Sequence, residues 1–235
     1  MPRLLSFDEN TDCGKYSFVL NDLIHRKCLD VLPERKKESP LSYFTYCNNR
    51  DSVEYIVSDM YEPYLLVQKA MFPKAKYVVD WFHYTRYIMD ALDKVRIRYQ
   101  KSFGYNSKEY RLLNINSDLH DAYLLKEMFL DLANYSDYDH AEEKIKSWIE
   151  MVYDYSIPEM IAAANTIKNW LPYIVNSFID ERFSNGFTEG LNNKIKVIKR
   201  VAFGYKNFEF LRLRILYIMN GKLSGITKKD RNSKK

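Results

Sequence analysis

The chain holds three cysteines in 235 residues, Cys13, Cys28 and Cys47. Their number is odd and none stand in CxxC spacing. That excludes a disulfide framework and a cysteine zinc site, and fits reduced thiols in a cytosol. No apolar run approaches the ~20 residues needed to cross a bilayer, so no membrane span is expected. The opening MPRLLSFDENTD lacks the apolar core of a signal peptide. There is no GxxxxGKS or GxxxxGKT run and no GxSxG elbow, which removes a Walker-type nucleotide site and a hydrolase nucleophile. Glycine is scarce, at seven residues, and no stretch rich in Gly or Ser divides the chain.

Aromatic and charged residues are abundant. Twenty Tyr and 13 Phe contribute to a 46% apolar composition, enough for a sizeable core in one large domain or two small ones. The net charge of +5 conceals an asymmetry. From Glu189 onward there are 13 Lys and Arg against three acids, while the remainder carries 23 bases and 28 acids. A basic end on a mildly acidic body is an electrostatic footprint for a polyanion. The closing run GITKKDRNSKK also fits a solvated tail, but the cations between 194 and 214 fall on helical patterns.

Periodicity predicts strands at 4–8, 15–22, 26–32, 53–59 and 75–80, with helices at 40–47 and 62–71. A long amphipathic helix follows over 82–102. Residues 108–180 pattern as a helical bundle with breaks at Pro158 and Pro172. After a loop at 183–188 comes a basic amphipathic helix, and a last helix covers about 206–220. The order βββαβαβ followed by helices predicts an α/β fold in which the first and fourth strands lie side by side at the centre of the sheet. The helical middle reads as an insertion.

Three strands end in a carboxylate, Asp8, Asp59 and Asp80, and ligands gather at strand ends in α/β sheets. An Asp there also serves as a turn or helix-cap residue. Asp8 and Asp59 on neighbouring strands cannot both stay ionised without a cation between them. Glu189 is a lone acid on the basic helix, sharing a face with Asn192, Asn193, Lys196 and Arg200, while Leu191, Ile195, Ile198 and Ala202 share the opposite face. Three carboxylates suit two hard divalent ions, which stabilise both the attacking and the leaving oxygen of a phosphoryl transfer. Asp80 and His83 form D-W-F-H at a helix start, where His83 either meets a phosphate or base or is structural. Tyr84, Tyr87 and Tyr99 with Arg86, Arg96 and Arg98 offer stacking on unpaired bases or core packing.

Three blocks carry a resemblance: SDMYEPY (58–64), FPKAKYVVDWFHYTRYIMDALDKVR (72–96) and FSNGFTEGLNNKIKVIKRVAFGYKNFEFLRLRIL (183–216). In order and spacing they resemble the DDE transposases of bacterial insertion sequences, in the subgroup whose C-terminus reads EGxNNKIKxIKR then GYxNFxxxRxRI. The resemblance covers essentially the whole chain. It implies an RNase H-like mixed five-stranded sheet with flanking helices and an all-helical insertion before the last catalytic helix. The implied domains are 1–102 and 183–222 for the catalytic domain, 103–182 for the insertion and 223–235 for a basic tail. It implies Asp8, Asp59 and Glu189 as catalytic residues and ligands of two Mg²⁺ or Mn²⁺ ions. Asp80 and His83 match an auxiliary D-x-F-H block. Family members continue from the first acid as DEF, whereas this chain reads Asp8-Glu9-Asn10.

The expected activity is cleavage and strand transfer of DNA, with transposon ends and target as partners, in a homo-oligomer at the nucleoid of a bacterial cytoplasm. Lys194, Lys196, Lys199 and Arg200 are the expected DNA contacts, and Asn192 and Asn193 either orient the helix or touch DNA. Full family members carry a zinc-binding segment and a helix-turn-helix ahead of the first strand, so the resemblance implies a truncated copy or the catalytic part alone. Two rival readings fit the same residues: a catalytically incompetent remnant that only binds DNA, and an RNase H-like nuclease or resolvase without strand transfer.

Overall fold

The computed structural model describes residues 1–12, 15–103, 117–180, 183, 186–201 and 207–221. Cys13, the bundle segment before residue 117, Ser184 and Asn185, Ala202 through Lys206, and the basic tail 223–235 lie outside the described residues. The strands are β1 (Leu4–Asp12), β2 (Lys15–Asp22), β3 (Lys27–Leu32), β4 (Tyr55–Ser58) and β5 (Lys76–Val79). The helices are α1 (Glu38–Thr45), α2 (Glu62–Met71), α3 (Trp81–Phe103), α4 (Ser117–Tyr135), α5 (Tyr138–Tyr155), α6 (Pro158–Ile174), α7 (Gly186–Val201) and α8 (Phe208–Asn220). The strands order β3-β2-β1-β4-β5 in one mixed sheet. β1 is antiparallel to β2 and parallel to β4, so the first and fourth strands are neighbours at its centre. The fold is α/β and consistent with the RNase H-like class.

The chain forms two compact units, Met1–Ala75 with Asn185–Lys235, and Lys76–Ser184. In the first, β1 alternates with period two. Leu5 and Phe7 are fully buried. Phe7 packs with Phe18, Phe44, Tyr64 and Phe72, ring centroids 5.2–6.2 Å away. Ser6, Asp8 and Asn10 occupy the opposite row and meet α7. α7 buries Leu191, Ile195 and Ile198 with Val19, Cys28 and Val31 of the sheet and Leu211 and Ile215 of α8. The α8 N-cap is Asn207, whose side chain accepts from the Glu209 N–H at 2.8 Å.

In the second unit, α3 through α6 bury one stripe each. Tyr84, Phe129 and Trp148 meet in its core, and the Trp148 indole donates to the Leu125 carbonyl at 2.8 Å. Asp137 caps α5 through the His140 N–H. Arg98 ties Asp118 of α4 and Glu159 of α6 to α3. Tyr84 is therefore core, Arg96 pairs with Asp93, and Tyr87 is exposed.

Two sequence expectations need correction. Pro172 does not break α6. It lies in the final turn, and the helix runs to Ile174 before tightening into a 3-10 segment, Val175–Ile179. Near a helix end the missing proline N–H costs little continuity, because few turns remain to be paired. Asp8 is not at the end of its strand either. β1 continues to Asp12 against β2, while its pairing with β4 reaches only Ser6 opposite Val57. Asp8 stands where β1 outruns its parallel neighbour, which opens that side of the strand.

Candidate active site

The site grows from the polar row of β1. The β1–β4 pairing ends at Ser6–Val57; Asp8 and Asp59 each lie two residues beyond it, Asp8 still in β1 and Asp59 directly after β4, and both are half-buried. The Ser58 hydroxyl donates to the Phe7 carbonyl at 2.9 Å and fixes this register. Tyr64 of α2 donates its hydroxyl to the Asp8 carbonyl at 3.3 Å.

α7 is docked on that row by polar contacts. Ser6 and Thr188 hydroxyls pair at 2.8 Å, both buried. The Asn192 amide donates to the Asp8 carboxylate at 2.9 Å and to the Glu9 carbonyl at 3.1 Å. Asn10 donates to the Asn192 backbone carbonyl at 3.0 Å, and Lys199 donates to the Asn10 side-chain oxygen at 3.1 Å. The helix thus locks the Asp8 carboxylate in one orientation. Glu189 lies between Thr188 and Asn192, in the first turn of α7 and exposed to solvent.

Two residues read as DNA contacts are turned inward. Asn192 and Lys199 are each 8% exposed and hydrogen-bonded to β1. The inward face of α7 is wider than its apolar stripe, because the β1 row it covers is itself polar. Asn193, Lys194, Lys196 and Arg200 are exposed. Ser6, Asn10 and Thr188 were not singled out from sequence. The signal available for two of them was the every-second-residue polarity of Ser6, Asp8 and Asn10 inside an apolar strand.

Burial dominates the electrostatics. Desolvation pushes the Asp59 carboxyl up to about 6, against the smaller opposing effects of the Ser58 hydroxyl and the Arg35 charge. A half-buried carboxylate with so raised a proton affinity has the oxygen donors that hard cations take. Among the described residues, however, no three His, Cys, Asp or Glu side chains stand together as a metal-binding group. The structure places Asp8 within β1, Asp59 directly after the neighbouring β4 and Glu189 on the helix docked on Asp8, without gathering all three into one cluster.

Asp80 follows β5 directly, is 3% exposed and accepts the His83 N–H on its backbone carbonyl at 3.1 Å, at the start of α3. The His83 ring is 3.8 Å from the Asp80 carboxylate. Burial, with a smaller contribution from the Arg86 charge, pushes the imidazole down to about 4, so the ring is neutral at pH 7. The unfolded imidazole takes up a proton near 6.5, and the folded one resists until about 4. Its contribution to stability is therefore present above pH 6.5 and falls away as the pH drops toward 4. Between pH 7 and pH 5, wild type is expected to lose about 1 kcal/mol relative to a His83→Gln variant, after discounting for the exposed part of the ring. Urea midpoints of both proteins at the two pH values check this, and parallel curves refute it.

Cys28 and Cys47 carry free thiols. Burial pushes the Cys28 thiol up to about 12, which makes it an inert core group. Among the described residues, no helix is long and apolar enough to cross a membrane.

The mixed five-stranded α/β sheet with its flanking helices, consistent with the RNase H-like class, carries Asp8 in its central strand, Asp59 directly after β4 and Glu189 on α7. A family model described as transposase, of the DDE type named for ISL3, matches residues 5–111 and 104–215, and the chain belongs to that family. It is 25% identical over 230 residues to the transposase for insertion sequence element IS1001 of Bordetella parapertussis, a match covering 86% of this chain and 56% of that protein. A Lactococcus lactis subsp. lactis protein described as an ATP-dependent protease is 35% identical over 106 residues, 45% of this chain and 32% of that one. The chain spans about half the length of the IS1001 transposase it matches.

Proposed function

We propose that the chain carries the catalytic domain of a transposase, performing metal-dependent cleavage and strand transfer at DNA phosphodiesters. What supports this reading is the Asp8 carboxylate held by Asn192 of α7, with Asp59 directly after the parallel neighbour β4 and Glu189 in the first turn of the same α7. Asp8, Asp59 and Glu189 would hold Mg²⁺ or Mn²⁺. Bound there, divalent ions supply Lewis-acid stabilisation of the attacking and leaving oxygens. Asn192 keeps one oxygen of Asp8 engaged and so limits how that carboxylate can turn. Asp59 releases its proton above about pH 6 to become a ligand. Glu189, exposed in the first turn of α7, reaches the site by side-chain rotation. Asn193, Lys194, Lys196 and Arg200 line the exposed face and bind phosphates with steep salt dependence. DNA is the partner, as transposon ends and target, in an oligomer of this chain.

Supercoiled plasmid with Mg²⁺ or Mn²⁺ tests the reading. Wild type is expected to nick it, and Glu189→Gln to lose ~10³-fold in rate, about 4 kcal/mol of transition-state stabilisation. Equal nicking by the two proteins sinks the assignment of Glu189. Salt-sensitive binding without any metal-dependent nicking by wild type would favour the DNA-binding remnant instead.

A further inference from the structure

Arg35 lies in the loop after β3, on the sheet edge where β1 and β4 also end. Its guanidinium carbon sits 3.8 Å from the centre of the Tyr16 ring and 4.6 Å from that of Tyr61. Glu9, the neighbour of Asp8, forms an ion pair with its Nη1. Tyr61 in turn packs edge-on against Tyr64 at 4.9 Å, and Tyr64 bonds the Asp8 carbonyl. Arg35 is thus held by two tyrosine rings and by Glu9, the residue after Asp8.

A guanidinium packed on aromatic rings keeps its five N–H donors in its own plane, pointing outward. One carboxylate at Nη1 does not use them all. The side chain remains 25% exposed. Its charge also acts on Asp59. Such a pre-ordered fork costs little entropy when it meets a phosphate, and it matches phosphate oxygens in pairs.

We propose that Arg35 contacts a non-bridging oxygen of the DNA phosphate brought to the Asp8–Asp59 pair, with Tyr16, Tyr61 and Glu9 as the residues that position it. This rests on the DNA-processing reading of the site. Arg35 approaches from the α2 side of the sheet edge, and the α7 cations from the other side.

Two measurements on the full chain test it. In EDTA, binding of a 20-base-pair duplex is followed against salt. Arg35→Ala is expected to lower the slope of log affinity against log salt by about one, and Arg35→Lys to restore it. With metal, Arg35→Ala is expected to nick ~100-fold more slowly, and Arg35→Lys to recover only part of that loss. When the nicked phosphate is replaced by a neutral methylphosphonate, the further loss caused by Arg35→Ala should shrink below about 3-fold, because the charge it served is gone. An unchanged salt slope, or the same loss on both substrates, overturns the contact. A lowered slope with no nicking by wild type keeps the phosphate contact and sinks the transposase chemistry. If Arg35→Ala fails to fold, the Lys variant decides: nicking equal to wild type overturns the proposal.

Discussion

Replacing Asp59 by Asn is expected to stabilise the protein while abolishing its chemistry. Burial holds the Asp59 carboxyl at about 6, well above its ordinary 3.8. A carboxyl with a raised folded-state affinity is bound to its proton in the native state between those values, so ionising it costs stability as the pH rises through 3.8 to 6. At pH 7.5 the charged form is a burden of about 2 kcal/mol, which Asn removes while keeping the shape. Asp59→Asn should therefore unfold at higher urea than wild type at pH 7.5, with the gap closing as the pH falls to 4. Nicking should drop by ~10³-fold or more, because a neutral amide is a poor ligand for a hard cation. A less stable Asn variant, or a gap that persists at pH 4, would refute the physical account. Mg²⁺ should also raise the urea midpoint of wild type, and not that of the variant, if Asp59 is a ligand.

The second large effect concerns the cation pattern of the C-terminal helix. Arg212 faces inward to Asp30 of β3, with two contacts at 2.5 and 2.7 Å. Asp30 is 4% exposed and also accepts the Val31 N–H at 2.7 Å. Together with the Asn220 amide donating to the Cys28 carbonyl at 2.8 Å, this pair pins α8 to β3. Arg212→Met leaves a buried carboxylate without its cation, which costs about 3–5 kcal/mol. The double variant Asp30→Asn with Arg212→Met should be more stable than the single one, since no charge is left buried. Urea unfolding and amide exchange across α8 measure both. A single variant within about 0.5 kcal/mol of wild type would show the pair to be incidental. Arg212 is thus withdrawn from the polyanion footprint that the charge count suggested, while Arg214, two residues on, is exposed.

These two residues show why charge counts overreach. A run of cations on a helix carries no information about which face meets protein. Lys199 and Arg212 are taken up by Asn10 and Asp30, residues more than 180 positions away in sequence. The sequence left Asn192 open between orienting its helix and touching DNA; the docking of α7 on β1 gives it Asp8 as a partner. Arg35 carried no local signal at all, since it sits in PERKK beside two lysines.

What the sequence determined by itself was the local and the patterned. Period-two apolar runs located five strands, and the amphipathic stripes located the helices, because side-chain burial repeats with backbone geometry. The three motif blocks fixed the family. Tertiary structure decided the rest. It set how far β1 outruns β4, which leaves Asp8 open in mid-strand. It chose which polar residues of α7 turn onto the sheet, and it brought Arg35 against two tyrosines and Glu9. Each of these depends on strand register and helix rotation across elements distant in the chain. Those quantities are set by how the buried surfaces fit together, and no single segment encodes them.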